Sequence, residues 1–309
     1  MTRLLVWLRQ FGIYRGAVDL YARSGLFRGL VVAFIPLAWI LVLTVAPYAQ
    51  MVLISFYERY PLPADQAVEF TFRHYASFAE RPLYLTAFIR SFLFATLMTA
   101  LTLIVVFPVA YFISKVAPRG QRTRLLLLVI APFWISEVIR SFAWMIMLSN
   151  SGAINSLVGL LGLRDEPFEM LYTNLSLSIG VLYLTSLYML LPVYSALEKI
   201  DSQLLDAAAN LGAPAWKRFT RIILPLARDG IVSGCTLVFL LVIGLYAMPQ
   251  LLGGPGNTLF AATIGQIFSK AGDSWPQGSA FSLILIGAAL AFVGLFTVLL
   301  QSRRRRRTA

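Results

Sequence analysis

The chain has 309 residues, 59% of them apolar, a mean hydropathy of +0.76 and a formal charge of +12. So much apolar surface exceeds what a water-soluble domain buries and points to an all-α integral membrane protein with several spans. One cysteine (Cys235) excludes an intramolecular disulfide, and with one histidine (His74) no Cys/His metal site or Ser-His triad can be built. No Gly-Lys dipeptide occurs, so there is no Walker A loop to cradle phosphates, and no catalytic or metal residue is assigned.

Residues 1–29 form an N-terminal segment with Arg3, Arg9, Arg15, Arg23 and Arg28. Leu4, Trp7, Leu8 and Phe11 fall at helical spacing, so this segment reads either as an interfacial helix or as a plain basic tail. No short apolar core with a small-residue cleavage site is read at the start, so no cleaved leader is expected. Residues 30–300 read as a six-span domain, with spans at about 30–55, 90–114, 125–149, 175–197, 230–250 and 280–300. Residues 56–89 read as polar and irregular, broken by Pro61, Pro63 and Pro82. Residues 301–309 form a basic tail whose Arg303–Arg307 run is either a solvated topology anchor or a contact for anionic lipid, worth about 1 kcal/mol per basic residue near the surface.

With a cytoplasmic N-terminus, nineteen of the 26 basic residues fall on cytoplasmic segments: the tail, 115–124, 198–228 and the C-terminus. The positive-inside rule asks for this bias, and it accounts for most of the net charge without a nucleic-acid partner.

The loop 198–228 carries the densest local signal. Asp201 is placed as an N-cap after Ile200, with Leu205 spaced to pack back on Ile200. Gly212 suits the left-handed residue that closes a helix, Pro214 opens a second one, and Leu224-Pro225 is expected to stop it. Two short helices with a sharp bend between them make a knob that another protein can grip.

Asp206-Ala207-Ala208, then Gly212, then Ile222, Leu224 and Pro225 resemble the coupling motif of ATP-binding cassette importer permeases, with Asp206 where Glu is usual. Residues 131–136 and 139–144, Gly152-Ala153-Ile154-Asn155, Asp165-Glu166-Pro167, 251–254 and 273–278 resemble permeases of the spermidine/putrescine type, so the likeness covers about 30–300. The resemblance implies a type I importer fold with a cytoplasmic coupling-helix pair in the inner membrane of a bacterium, both termini cytoplasmic. It implies two cassette ATPase subunits that hold the ATP and Mg, a second permease (usually a different chain) and an extracytoplasmic solute-binding protein. The solute would be a polyamine, or an opine, amino-acid derivative or aminophosphonate. In the ATPase contact, Asp206 with Lys217 and Arg218 would orient the seat, Ala207 and Ala208 would permit close approach, and Gly212 would set the bend. A secondary transporter or channel is the competing class; the docking motif and the lack of a repeated half count against it.

Glu137 and Arg140 fall mid-way along the third expected span, where a charge costs roughly 2.5–3.5 kcal/mol, so each must face protein or water. Three apart on a helix, they are placed to pair with each other, or Glu137 lines the solute path and meets a cation. Trp144, Tyr183, Tyr188, Tyr194 and Tyr246 can offer aromatic faces to an ammonium, or simply pack. Residues 244–249 carry no acid where the polyamine permeases that the chain resembles often have one, a departure that counts mildly against a polyamine with three or four charges.

Overall fold

The computed structural model describes residues 25–61, 68–162, 168–270 and 274–305. The expectations for residues 1–24, for Asp165-Glu166-Pro167 and for the side chains of Arg303–Arg307 lie outside the described residues.

The first span, Val32–Ile54, is built from α1 (Gly25–Ile40), a π turn (Leu41–Val45) and α2 (Ala46–Ile54). The described residues 56–61 and 68–89 hold more regular structure than the prolines of this stretch suggest. Tyr57 and Phe70 form an isolated antiparallel bridge, a short helix α3 (Arg73–Glu80) follows, and α4 (Pro82–Tyr111) already begins at Pro82. Pro82 thus starts a helix instead of breaking one, because a first-turn residue needs no N–H partner. With a π turn (Phe112–Val116), α4 makes a second span of 35 residues, eight residues longer at its start than expected.

The third span departs most from its expected form. α5 (Arg119–Ile130) and a 3-10 turn (Ala131–Trp134) meet α6 (Glu137–Leu148) and α7 (Ala153–Leu160) at a bend of 91°. Ile135 and Ser136 are extended, with ψ of 133° and 140°. Pro132 lacks a donor and the 3-10 turn around it runs out of helix, which hydropathy alone does not register.

α8 (Asn174–Glu198) is the fourth span, capped by a box in which Thr173 and Ser176 each bond the other's backbone N–H. The elbow is α9 (Ser202–Asn210) and α10 (Ala215–Arg218). Leu224-Pro225 does not end the second helix. A π turn (Phe219–Ile223) carries α10 into α11 (Leu224–Ile243), so the fifth span is Ala215–Ile243, not 230–250. Leu224 N–H reaches back to Phe219 O, and this wider turn absorbs the donor missing at Pro225. A further π turn (Pro249–Gly253) and α12 (Phe260–Ser269) precede α13 (Trp275–Arg305), which supplies the sixth span, Trp275–Val298. Among the described residues, five helices are long and apolar enough to cross a membrane, six if the bent pair is one span.

The core is α8 flanked by α11 and α4. Close approach of α8 and α11 depends on Gly230 and Gly234. A Cβ at Gly230 would stand 2.4 Å from Pro192 O and from Ala196 Cβ, and one at Gly234 would stand 2.7 Å from Met189 Sδ. Small residues four apart let helix backbones meet, which matters where lipid is as apolar as leucine and burial alone drives nothing together. Thr102 and Thr185 then bond across the α4–α8 contact at 3.0 Å. At the end away from the elbow, Arg90 of α4 donates to Gly256 O (2.8 Å), Asn174 Oδ1 (2.9 Å) and Asn257 Oδ1. Its neighbour Ser91 accepts from Phe260 N–H at 2.7 Å, at the start of α12. The first span stands almost free of the rest, with Val32, Phe34, Trp39 and Leu41 exposed, which costs nothing in hydrocarbon.

Gly230→Ala is expected to destabilise the detergent-solubilised protein by about 1–3 kcal/mol, because the atom it strikes is backbone. Gly287→Ala, where a Cβ meets nothing within 4 Å, should leave the melting temperature unchanged or raised. Thermal melting of the two variants beside the parent checks both.

Candidate functional site

Two places carry the sequence-expected residues: the elbow between α8 and α11, and the break between α5 and α6. The elbow is built by local rules. Asp201 Oδ1 accepts from Gln203 N–H at 2.9 Å and caps α9, while buried Ile200 and half-buried Leu205 both join the main apolar core. At the other end Gly212 has φ of +76°. Gly212 N–H reaches Ala209 O and Ala213 N–H reaches Ala208 O, each at 2.9 Å, the two bonds of a Schellman closure. A Cβ at Gly212 would touch nothing within 4 Å, so glycine is required by its backbone angle and not by crowding.

Asp206 and Ala207 are exposed and Ala208 is half-buried, as are Arg218 and Ile222; Lys217 and Pro225 are exposed. Leu224 is 38% exposed. The sequence reading missed two residues here, Leu211 (88% exposed) and Trp216 (71% exposed). Sequence does not single them out, because the same loop holds Leu204, Leu205, Phe219 and Ile222; their high exposure does. Trp216 stacks on Phe219 (centroids 5.8 Å apart), whose ring meets Phe107 of α4 edge-on at 5.6 Å. Tyr111, Leu205, Trp216, Arg218 and Phe219 are among the residues around a cleft of 430 Å³ beneath the elbow, and Arg218 Nε is buried there with no hydrogen-bond partner. Lys115, at the end of the second span, donates to Ile200 O and so ties the entry of the elbow to α4. Tyr194 donates to Glu198 at 3.0 Å at this same end, which removes it from the aromatic candidates near the break.

At the break, Glu137 is the first residue of α6, where a negative charge complements the helix dipole, and it is exposed. Arg140 is 5% exposed, and its Nε and Nη1 are buried without a hydrogen-bond partner. The Glu137–Arg140 ion pair, one of the two arrangements left open by the spacing, does not form; spacing of three permits such a contact but does not compel it. Trp144 meets Tyr183 edge-on at 5.5 Å, and Phe133 meets Tyr188 edge-on at 5.4 Å. The two pairs therefore bracket the break from α8, one on each side of Glu137. Tyr246 is not brought to this group: its ring lies against Gly265 of α12, and it is 46% exposed. Non-helical backbone at membrane depth survives only where protein covers it or water reaches it. Ser136 is exposed and Ile135 is 47% exposed, so this backbone faces a cavity or another subunit.

Residues 119–307, from the second loop through the break, the elbow and the last span, match the family described as binding-protein-dependent transport system inner membrane component. The chain belongs to that family. It is 36% identical over 259 residues to the spermidine/putrescine transport system permease protein PotB of Salmonella typhimurium, covering 84% of this chain and 88% of that one. PotB of Haemophilus influenzae is 34% identical over 274 residues, 86% of this chain and 92% of its own. Among solved structures, a bacterial alginate ABC transporter in complex with an alginate pentasaccharide-bound periplasmic protein superposes with a TM-score of 0.67 over 90% of this chain and 94% of the other, at 18% identity. That likeness supports the importer-permease fold. The chain is accordingly a multi-span inner-membrane permease subunit and not an enzyme.

Gly212→Val should strain the elbow by about 1–3 kcal/mol through its positive φ, whereas Gly212→Asn, which tolerates that region, should cost much less. Limited proteolysis of the elbow in the two permease variants is the readout, with faster cleavage expected for valine only.

Proposed function

We propose that this permease is one of two in an ATP-driven importer, and that residues 201–225 seat in a groove of a cassette ATPase. The observation that carries the reading is the elbow itself: a Gly212-closed helix pair that presents Leu211 and Trp216 to solvent beside exposed Asp206. Exposed apolar side chains grouped in a polar loop mark a surface that another protein covers. The placement of basic residues supports the same orientation, with the elbow and both termini in the cytoplasm. ATP and Mg then belong to two ATPase subunits, since this chain has no Walker A loop. A second permease of different sequence completes the path, and an extracytoplasmic binding protein delivers the solute. The Arg303–Arg307 run meets anionic lipid at the cytoplasmic face.

The named relatives support a polyamine, spermidine or putrescine, or a related amino compound as the solute. Glu137 would meet an ammonium group where the broken third span opens, with Trp144, Tyr183 and Tyr188 close by for cation–π attraction. Tyr246, packed against α12, would take part only at a different stage of the path. One observation favours an opine, amino-acid derivative or aminophosphonate instead. Residues 244–249 hold no acid, while a buried arginine stands three residues beyond Glu137.

Co-expression with the partner subunits provides the test. The ATPase should co-purify with the parent permease, and Leu211→Ala with Trp216→Ala should weaken its association about tenfold or more, the loss expected of an aromatic anchor. Unchanged association in the double variant would remove the elbow from the contact. Glu137→Gln should raise the KM for spermidine uptake into vesicles several-fold while leaving ATPase association as it was.

A further inference from the structure

Arg140 is the one charged side chain among the buried residues of the described bundle, and no described residue gives its Nε or Nη1 a hydrogen bond. A guanidinium stays protonated in proteins, so it cannot escape burial by losing its charge as lysine can. An unmet charge in such surroundings is costly, and an ionisable group at membrane depth marks a place where something else is bound.

Among the described residues, the elements that pack most closely on α6 bring no acid to it. α7 and the π turn Pro249–Gly253 contain no acid, and the single acid of α8 is its last residue, Glu198, bonded by Tyr194 at the elbow end. Trp144 of α6 meets α8 at Tyr183, fifteen residues before Glu198 and so about 22 Å away along the helix. Glu137 is near in sequence but exposed, and forms no ion pair with Arg140.

We infer that Arg140 receives a carboxylate that comes from outside this chain, and that with Glu137 it forms a site for a compound carrying an amine and a carboxylate together. α7, α8 and the π turn contain no lysine or other arginine, and Arg140 is the only basic residue of α6. A lone guanidinium matches a singly charged carboxylate, which its planar fork can hold through two parallel bonds, better than a doubly charged phosphate or phosphonate. Positions three apart put the two groups on neighbouring parts of one helix face. Because they do not touch, a short zwitterion can bridge them, its ammonium on Glu137 and its carboxylate on Arg140. The way in passes the exposed Ser136 and Glu137 at the break.

This inference rests on the importer reading and narrows its solute. The carboxylate has two conceivable sources, the solute or an acidic side chain of the second permease, and one experiment separates them. The complete importer, with ATPase, second permease and binding protein, is reconstituted in vesicles with Arg140→Gln and, separately, Arg140→Lys. ATP-driven uptake of ornithine, γ-aminobutyrate and putrescine is measured beside recovery of the second permease on co-purification. A solute carboxylate predicts that Arg140→Gln lowers ornithine or γ-aminobutyrate uptake about tenfold or more, with putrescine uptake and assembly kept and partial rescue by Arg140→Lys. A carboxylate from the second permease predicts loss of that subunit on purification and of uptake for every solute. Uptake and assembly unchanged in both variants would overturn the inference.

Should either variant be recovered poorly, the parent complex supplies the reading. Ornithine or γ-aminobutyrate should raise its melting temperature more than putrescine does, unless the second permease already fills the site, in which case neither amino acid exceeds putrescine and Arg140→Gln lacks the second subunit. Equal shifts with the second subunit retained would overturn the inference. If the parent shows no ATP-driven uptake of any of the three compounds, the importer reading for amino compounds fails, which is a different result from transport that ignores Arg140.

Discussion

Inside hydrocarbon no water replaces a missing hydrogen-bond partner, and every proline in a span removes one donor. This permease carries prolines in or beside most of its long helices, and its backbone irregularities follow from them. The π turns at Leu41–Val45 and Phe219–Ile223 end two residues before Pro47 and Pro225, and the one at Pro249–Gly253 begins at a proline. Widening the turn moves the hydrogen bonds around the defect and keeps the helix continuous. At Pro132 the compensation fails, the helix stops, and the exposed extended residues Ile135 and Ser136 are left at the point where Glu137 and Arg140 begin α6.

α8 joins the two places of interest. Its Tyr183 and Tyr188 hold the aromatic side chains on either side of the break, and its last turn leads through Leu197 and buried Ile200 into the elbow. Gly230, Gly234 and the Thr102–Thr185 bond lock α8 to its neighbours at van der Waals distance. A close-packed interior transmits displacement instead of absorbing it. A push on the elbow therefore has a stiff route, through α8 and through Lys115 in the π turn that ends the second span, toward the break.

Much of this was legible in the chain. The elbow could be read residue by residue because its determinants are local: Asp201 caps the next turn, Gly212 supplies a left-handed angle, and neither needs a distant partner. Spans four and six fell within a few residues of their expected bounds, since a long apolar run has one outcome in a bilayer. Leu224-Pro225 was misread as a stop because a proline ends a helix unless the turn before it widens, and a π turn leaves no mark in composition. Leu211 and Trp216 were passed over because membrane chains are full of such residues, and only their exposure sets them apart.

Residue order alone determined the membrane class, the fourth and sixth spans to within a few residues and the hinge between the two short helices, because each rests on hydropathy or on hydrogen bonds within one turn. Tertiary structure decided which charges meet. Spacing allowed Glu137 and Arg140 to neutralise each other, yet at the 91° break the carboxylate is exposed while Arg140, on a helix packed against α8 and the π turn, is buried with its Nε and Nη1 unpaired among the described residues. Whether two charges pair depends on what surrounds each one, and those surroundings come from helices more than thirty residues away in the chain.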